Sequence, residues 1–186
     1  MKIIAICPSK YPDKLQKMVT SFQSTKSSAF TELIVNYDKD KTITEIFNKE
    51  FQENNDADFY MMLNDDIIFQ TNLWDKVLAN KGKISYGDDS IEGGLKCQFP
   101  MIDGDIVRAL GWLQMPKLNK YCGDVVWRLI GEQCGILKYF HDVKIEHQWH
   151  ESQVDREFLI NDMGKFGEWL PWSFRDMARV KAVLNG

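Results

Sequence analysis

The sequence predicts an α/β protein built on a mixed, mostly parallel sheet flanked by helices, and three observations predict it. The run Phe59-Tyr60-Met61-Met62-Leu63 is apolar throughout, as a central strand buried on both faces must be. Ahead of it, strand-like and helix-like periodicities alternate, the pattern of parallel strands joined by right-handed crossovers. The 186 residues, 44% hydrophobic and 27% charged, suffice for one ordered globular domain with a sizeable core.

Lys2 to Cys7 reads as a buried first strand, and Pro8-Ser9-Lys10-Tyr11-Pro12 as a loop held by two prolines. Asp13 is placed to cap a helix whose apolar residues Leu15, Met18, Val19 and Phe22 recur at three- and four-residue spacing. Gln23 to Ser28 is a polar loop, and Phe30 to Asn36 a second strand, with Glu32 to Asn36 at its core, ending at Tyr37-Asp38. Thr42 or Thr44 opens a helix with Ile43, Ile46, Phe47 and Phe51 on one face. The central strand then stops at Asn64-Asp65-Asp66, and apolar character resumes with Ile67-Ile68-Phe69.

Further on, Thr71 is expected to cap a short helix carrying Leu73, Trp74, Val77 and Leu78. Lys83 to Gly87 reads as a strand and Asp88 to Gly94 as a solvated acidic, glycine-rich loop. Lys96 to Met101 reads as another strand, and Asp103 starts a helix running to Gly111-Trp112. Tyr121-Cys122-Gly123-Asp124 leads into an amphipathic helix with Val125, Val126, Leu129 and Ile130, closed by Gly135. Ile136 to Phe140 and Val143 to Ile145 form two short strands, the second running into Glu146-His147-Gln148-Trp149-His150. From Asp155 the tail is helical, interrupted between Gly164 and Gly167 and resumed from Pro171.

Composition narrows the function. A formal net charge of -4 argues against broad nonspecific adhesion to nucleic acid. No apolar run approaches the ~20 residues that span a bilayer, so no transmembrane segment is expected. The opening Met1 to Pro8 is too short for a signal-peptide core, which reads as a first strand in a cytoplasmic protein. Cys7, Cys97, Cys122 and Cys134 are widely spaced and form no CxxC pair, so neither a structural zinc site nor a disulfide framework is expected.

Three features carry chemistry. Asp65 and Asp66 are adjacent carboxylates at the carboxyl end of a buried strand, where open α/β sheets bind ligands. A divalent cation arriving with a phosphate-bearing ligand would offset them, and a tight Asn/Asp turn explains them equally well. His147 follows a short strand, and imidazole beside a carboxylate suits a manganese-like cation. On an extended segment His147 and His150 point to opposite sides, so one of them reaches such a site. Asp124 opens a helix whose N-terminus favours its ionised form, which suits a general base as well as an ordinary cap.

Taken together, these stretches resemble a small glycosyltransferase of the GT-A fold, close to the inverting, family-2-like enzymes of bacteria and phages. Ile4 to Pro12 resembles the strand and Pro-Ser-Arg-x-Arg-Pro loop that contacts the nucleotide, and Leu63 to Phe69 resembles the DxD region. Ala109-Leu110-Gly111-Trp112 with Gly123-Asp124-Val125-Val126-Trp127 resembles the acceptor-side segment, and Val143 to His147 the late strand whose histidine completes the metal site. Two departures stand out. Asn64 occupies the first position of the DxD triplet, and Lys10 stands where arginine is commoner, which keeps the charge but loses the bidentate fork.

The resemblance implies a nucleotide-sugar and acceptor domain over residues 1–154, with residues 155–186 a helical extension packed on it. It implies Mn2+ or Mg2+ held by Asp66 and His147, and Asp124 as the base that deprotonates an acceptor hydroxyl. Pro8, Ser9, Lys10, Tyr11, Asp38, Asn64 and Asp65 would contact the nucleotide-diphosphate sugar donor, and Trp112 would wall the pocket. The acceptor would be a glycan or, in a phage enzyme working in host cytoplasm, a hydroxymethylated DNA base. A nucleotidyltransferase of similar fold is disfavoured because the loop after strand one has no glycine, and a degenerate nucleotide-sugar-binding module is the reading that Asn64 supports. A dinucleotide-dependent oxidoreductase is weaker, since no GxGxxG follows strand one. The aromatic and basic stretch Trp169 to Lys181 lies outside the resemblance and reads as a helix packed on the domain with a solvated basic face.

Overall fold

A computed structural model describes residues 1–9, 12–27, 30–80, 82–148 and 154–186, with Pro12 and Asp13 described by their backbone alone. Seven strands form one sheet in the order β2-β1-β3-β6-β5-β7-β4. They are β1 (Ile3–Pro8), β2 (Thr31–Asn36), β3 (Phe59–Met62), β4 (Ile67–Phe69), β5 (Ile84–Asp88), β6 (Met101–Asp103) and β7 (Leu137–His147). Among the described residues seven α-helices flank it: α1 (Pro12–Thr25), α2 (Ile43–Glu53), α3 (Trp74–Ala79), α4 (Gly104–Leu110), α5 (Gly123–Cys134), α6 (Arg156–Trp169) and α7 (Ser173–Asn185).

The first half follows the alternation read from the sequence, with β1 parallel to both β2 and β3. In β1, Ile4 and Ile6 face one core cluster while Ile3, Ala5 and Cys7 face the other, all fully buried, as a two-sided strand requires. The helices α2, α4, α5 and α7 contribute to the first cluster, and α1 and α3 to the second. Thr42 is the cap of α2, with a complete capping box to Glu45.

The expectation of a mostly parallel sheet needs correction. Three strand pairs are parallel and three antiparallel, because β6 runs against both β3 and β5, and β4 against β7. The strand expected over Lys96 to Met101 is confined to Met101–Asp103, and a 3-10 turn at Gly93–Leu95 precedes it. The two late strands are one, β7, which pairs with β5 through Phe140 and resumes at Lys144 after an irregularity. Gly87 lies against that irregularity, where an added Cβ would come within 2.4 Å of the Val143 carbonyl oxygen.

Local details differ as well. Helix α1 begins at Pro12, which suits the first helical position, so Asp13 lies inside the first turn. The α3 cap is Leu73 in a left-handed conformation. Thr71 instead ties β7 down, donating to the Asp142 carbonyl and accepting from the Lys144 N–H. Helix α6 runs through Gly164 and Gly167 without a break, and the interruption falls at the 3-10 turn Leu170–Trp172. The helix α7 packs on α4 and α5, with Val180 fully buried.

Candidate active site

The turn Asn64-Asp65-Asp66 leads from β3, inside the sheet, to β4, the edge strand beside β7. There β4 pairs antiparallel with the end of β7, and the register sets Ile67 opposite His147. The Gln148 N–H donates to the Asp66 carbonyl at 2.8 Å, and the His147 N–H donates to the Asp89 carbonyl at 3.0 Å. These backbone bonds fix Asp66 beside His147, although the two are far apart in sequence. Asp66 Oδ1 lies 3.4 Å from His147 Nε2, and both side chains are largely buried.

Neither group is fully satisfied by protein. Asp66 Oδ1 and His147 Nδ1 are buried without a directed hydrogen bond, and the imidazole packs in a T-shaped pair with Phe99, 5.1 Å between ring centroids. Unpaired buried polar atoms are uncommon in folded proteins, and here the side chains that carry two of them adjoin at the end of β7. Among the described residues no third His, Cys, Asp or Glu groups with them. A carboxylate and an imidazole alone still fit a hard divalent cation that takes its remaining ligands from phosphate oxygens and water.

Asp66, His147, Asn64 and Asp124 all line one cavity of about 500 Å³. Asp124 sits in the first turn of α5, after Cys122 in a left-handed conformation that has no side-chain cap. Burial raises the Asp124 carboxyl above the ordinary carboxylate range. The N–H groups of Val125 and of Asp124 itself, with the charges of Lys96 and His147, oppose the rise. The result is a carboxyl group lining the cavity that holds its proton to higher pH than a surface aspartate does.

The other expected site residues are distributed around this cavity. Asp65 turns toward β1, where its Oδ2 accepts from Ser9 Oγ at 2.7 Å, and the Ser9 N–H donates to the Asn36 carbonyl. Both carboxylates lie close to the Cys7 thiol, whose pKa burial pushes up, with the charges of Asp65 and Asp66 adding to the rise. Pro8 ends β1 opposite Asn36. Asp38 closes a turn after β2, where Lys41 and the Asp40 N–H hold its carboxyl below the usual range, and it is not among the residues lining the cavity. Lys10, Tyr11 and His150 lie outside the described residues.

Trp112 corrects an expectation. It is 7% exposed, packs on Trp127 at 5.3 Å between ring centroids, and belongs to the core rather than to the cavity wall. Gln114, two residues on, lines the cavity instead, together with Lys96, Gln98 and Phe99. Nothing in the sequence pattern singles out these residues, because they come from irregular segments with no apolar period.

The acidic loop after β5 has a structural explanation. Asp89 is buried, and its Oδ1 accepts from the N–H groups of Ile91, Glu92 and Gly93. Asp88 pairs with Lys144. The loop therefore braces β7 and the His147 backbone, and it is ordered by its own carboxylate rather than simply solvated.

No protein-family model and no curated protein sequence matches the chain. Among solved structures it is similar to S. aureus TarS, with a TM-score of 0.57 and 8% identity over 88% of this chain and 38% of that one. It is similar to S. aureus TarS 1-349 in complex with UDP, with a TM-score of 0.53 and 9% identity over 78% of this chain and 59% of that one. A197 from STIV gives a TM-score of 0.51 and 13% identity over 81% of this chain and 87% of that one. The fold is GT-A-like.

The chain spans 59% and 38% of the two TarS chains, and identities this low speak for the fold alone. Within the GT-A-like fold, the cavity opens at the carboxyl end of β3, where α/β sheets receive their ligands. None of the helices, among the described residues, is long and apolar enough to cross a membrane.

Proposed function

We propose that the chain is a glycosyltransferase that moves a sugar from a nucleoside-diphosphate donor to an acceptor hydroxyl with inversion at the anomeric carbon. One observation carries the reading: the incompletely satisfied Asp66–His147 pair and the desolvated Asp124 line the same cavity. The likeness to TarS in complex with UDP supports a nucleoside diphosphate as the leaving group.

Asp66 and His147 would hold Mn2+ or Mg2+, which when bound neutralises charge on the departing diphosphate. Asn64 lines the cavity beside them, and Asp65, buttressed by Ser9, faces the end of β1 on the nucleotide side. Pro8, Lys10, Tyr11 and Asp38 would contact the donor's nucleotide in this reading. Asp124 takes the proton from the acceptor hydroxyl as its oxygen bonds to the anomeric carbon. The bond from that carbon to the diphosphate breaks with its electron pair leaving on the diphosphate oxygen. A base whose pKa is raised by its surroundings is matched to this proton transfer near neutral pH. The acceptor is a hydroxyl on a glycan or on a hydroxymethylated DNA base.

The test is thermal denaturation with UDP, GDP, CMP and ADP, with and without manganese, on the wild type and on Asp66→Ala. A diphosphate present at a hundred times its Kd adds about 2.7 kcal/mol. That raises Tm by roughly 5–10 °C for a chain of this size. The expected result is a metal-dependent rise with one diphosphate, lost in Asp66→Ala. A chain that responds to none of them under any metal condition is not a transferase of this kind. Product stereochemistry by proton NMR then reports inversion, and Asp124→Asn should reduce turnover by roughly 10²–10⁴-fold.

A further inference from the structure

Gln114 is 1% exposed, lines the cavity, and leaves its Nε2 group buried without a hydrogen-bond partner. The residue is held with unusual firmness for a loop position. Asn48 Oδ1 accepts from the N–H groups of Leu113 and Gln114 at 2.8 and 2.9 Å, and Asn48 Nδ2 returns a bond to the Gln114 carbonyl at 2.8 Å. Trp127 Nε1 donates to the Leu113 carbonyl at 2.8 Å. The side-chain amide lies against Gly123, where an added Cβ would meet Gln114 Cδ at 3.2 Å and Met62 Cε at 3.2 Å. Gly123 immediately precedes Asp124, so the amide is presented beside the proposed base.

A core that needed only volume here would use methionine or leucine, as Met115 and Leu118 do in the same cluster. A preorganised, desolvated amide with spare N–H capacity is what a site needs to recognise an oxygen. Sites built this way discriminate strongly against ligands that lack the matching group.

We propose that Gln114 is a specificity residue for the donor sugar, its Nε2 group donating a hydrogen bond to a sugar hydroxyl oxygen next to the reacting carbon. The inference rests on the transferase reading of the cavity and adds to it a contact that the diphosphate does not make. With the diphosphate at Asp66 and His147, the sugar it carries is the part of the donor that extends toward Asp124 and Gln114.

The test compares Gln114→Met, which keeps length and volume but removes the amide, with the wild type. The probes are UDP, GDP and ADP and their glucose and N-acetylglucosamine esters, each with manganese, measured by calorimetry. The expected result is that Gln114→Met binds the bare diphosphate as the wild type does and loses about tenfold in affinity for the sugar ester that the wild type prefers. Its Tm without ligand stays equal or rises, because no internal hydrogen bond is lost. Equal affinities of both proteins for that ester, or equal losses for ester and diphosphate, overturn the role of Gln114 and leave the transferase reading standing. A fall in Tm with no change in the affinity ratio makes the amide structural and also overturns it. If the wild type binds none of the probes, both the cavity reading and this inference fail together.

Discussion

The carboxylate of Asp162, fully buried on α6, accepts a hydrogen bond from the backbone N–H of Tyr121 at 2.8 Å, three residues before Asp124. The same carboxylate takes the N–H groups of Asn119 and Lys120 and the side-chain amide of Asn119. The Tyr121 hydroxyl in turn accepts from the Asp155 N–H at the start of α6. Helix α6 thus holds the loop that delivers Cys122, Gly123 and Asp124 to the cavity. Val154 and Leu159 line the cavity too, so this tail borders the site directly.

Asp162→Ala strips those donors of their acceptor in a buried place, at about 1–3 kcal/mol for each one left unpaired. Water entering the gap recovers part of that, and we expect a net loss of about 3 kcal/mol. For a chain of this size the Tm should fall by roughly 6–12 °C. Hydrogen exchange localises the effect: the amides of Lys120 and Tyr121 should lose protection more than those of β1.

Gly87 is the second position where backbone geometry governs the site. Its missing Cβ is what lets the Val143 carbonyl approach β5, and through it the rest of β7 reaches β4 with His147 opposite Ile67. A rigid backbone atom cannot yield as a flexible side chain does. Gly87→Ala is expected to cost about 3 kcal/mol, at the upper end of ordinary overpacking. Urea denaturation measures that loss. A variant of unchanged midpoint would mean that the strand irregularity relocates without penalty.

What the sequence made legible follows from how local each signal is. The order β1, α1, β2, α2, β3 is written in periodicities a few residues long, and Thr42 with Glu45 announces its own cap. Strand β6 has three residues and is a strand only because β3 and β5 flank it, which no window of sequence reveals. The sequence divides the long β7 because His141-Asp142 interrupts its apolar pattern, whereas Thr71 and Gly87 accommodate the irregularity from a distance. Asp66 and His147 stand out in the sequence because a polar group at the end of an apolar run is conspicuous, and Asp124 because it opens a helix. Gln114 does not, since its burial is created by Asn48, Trp127 and Gly123. Trp112 is ambiguous because a tryptophan at a helix end looks the same in sequence whether it faces a pocket or Trp127.

Gly164 and Gly167 are the residues whose composition misled most plainly, and they make an economical prediction. Both lie exposed inside the continuous helix α6, and a Cβ at either would meet nothing within 4 Å. Glycine in a helix interior costs roughly 0.5–1 kcal/mol relative to alanine. Gly164→Ala and Gly167→Ala should each stabilise by about that amount, and together raise Tm by a few degrees. A loss of stability in either variant would show that the native helix requires glycine there for a reason the packing does not reveal.

The pH dependence of Asp124 joins stability to chemistry. Burial raises its folded-state pKa above the unfolded value of 3.8, so between those two values the folded protein binds more protons than the unfolded chain. Stability from this group is therefore fully present below the unfolded value and is lost as pH rises through the folded one. Above the folded value the ionised carboxylate is a net cost, offset in part by the N–H groups of Val125 and Asp124 and by the charge of Lys96. Asp124→Asn removes the ionisation while keeping the shape. It should raise Tm at pH 7 relative to the wild type and bring the two together near pH 3. Turnover should behave oppositely, with the wild-type rate falling on the acid side at a pH above the ordinary carboxylate range, as the base takes up its proton. Paired melting curves of the two proteins from pH 3 to pH 8, read against the wild-type pH–rate profile, check both limbs. A rate profile whose acid limb lies at an unshifted carboxylate value would remove Asp124 from the role of base. Coincident melting curves across the whole range would show that its burial carries no charge penalty.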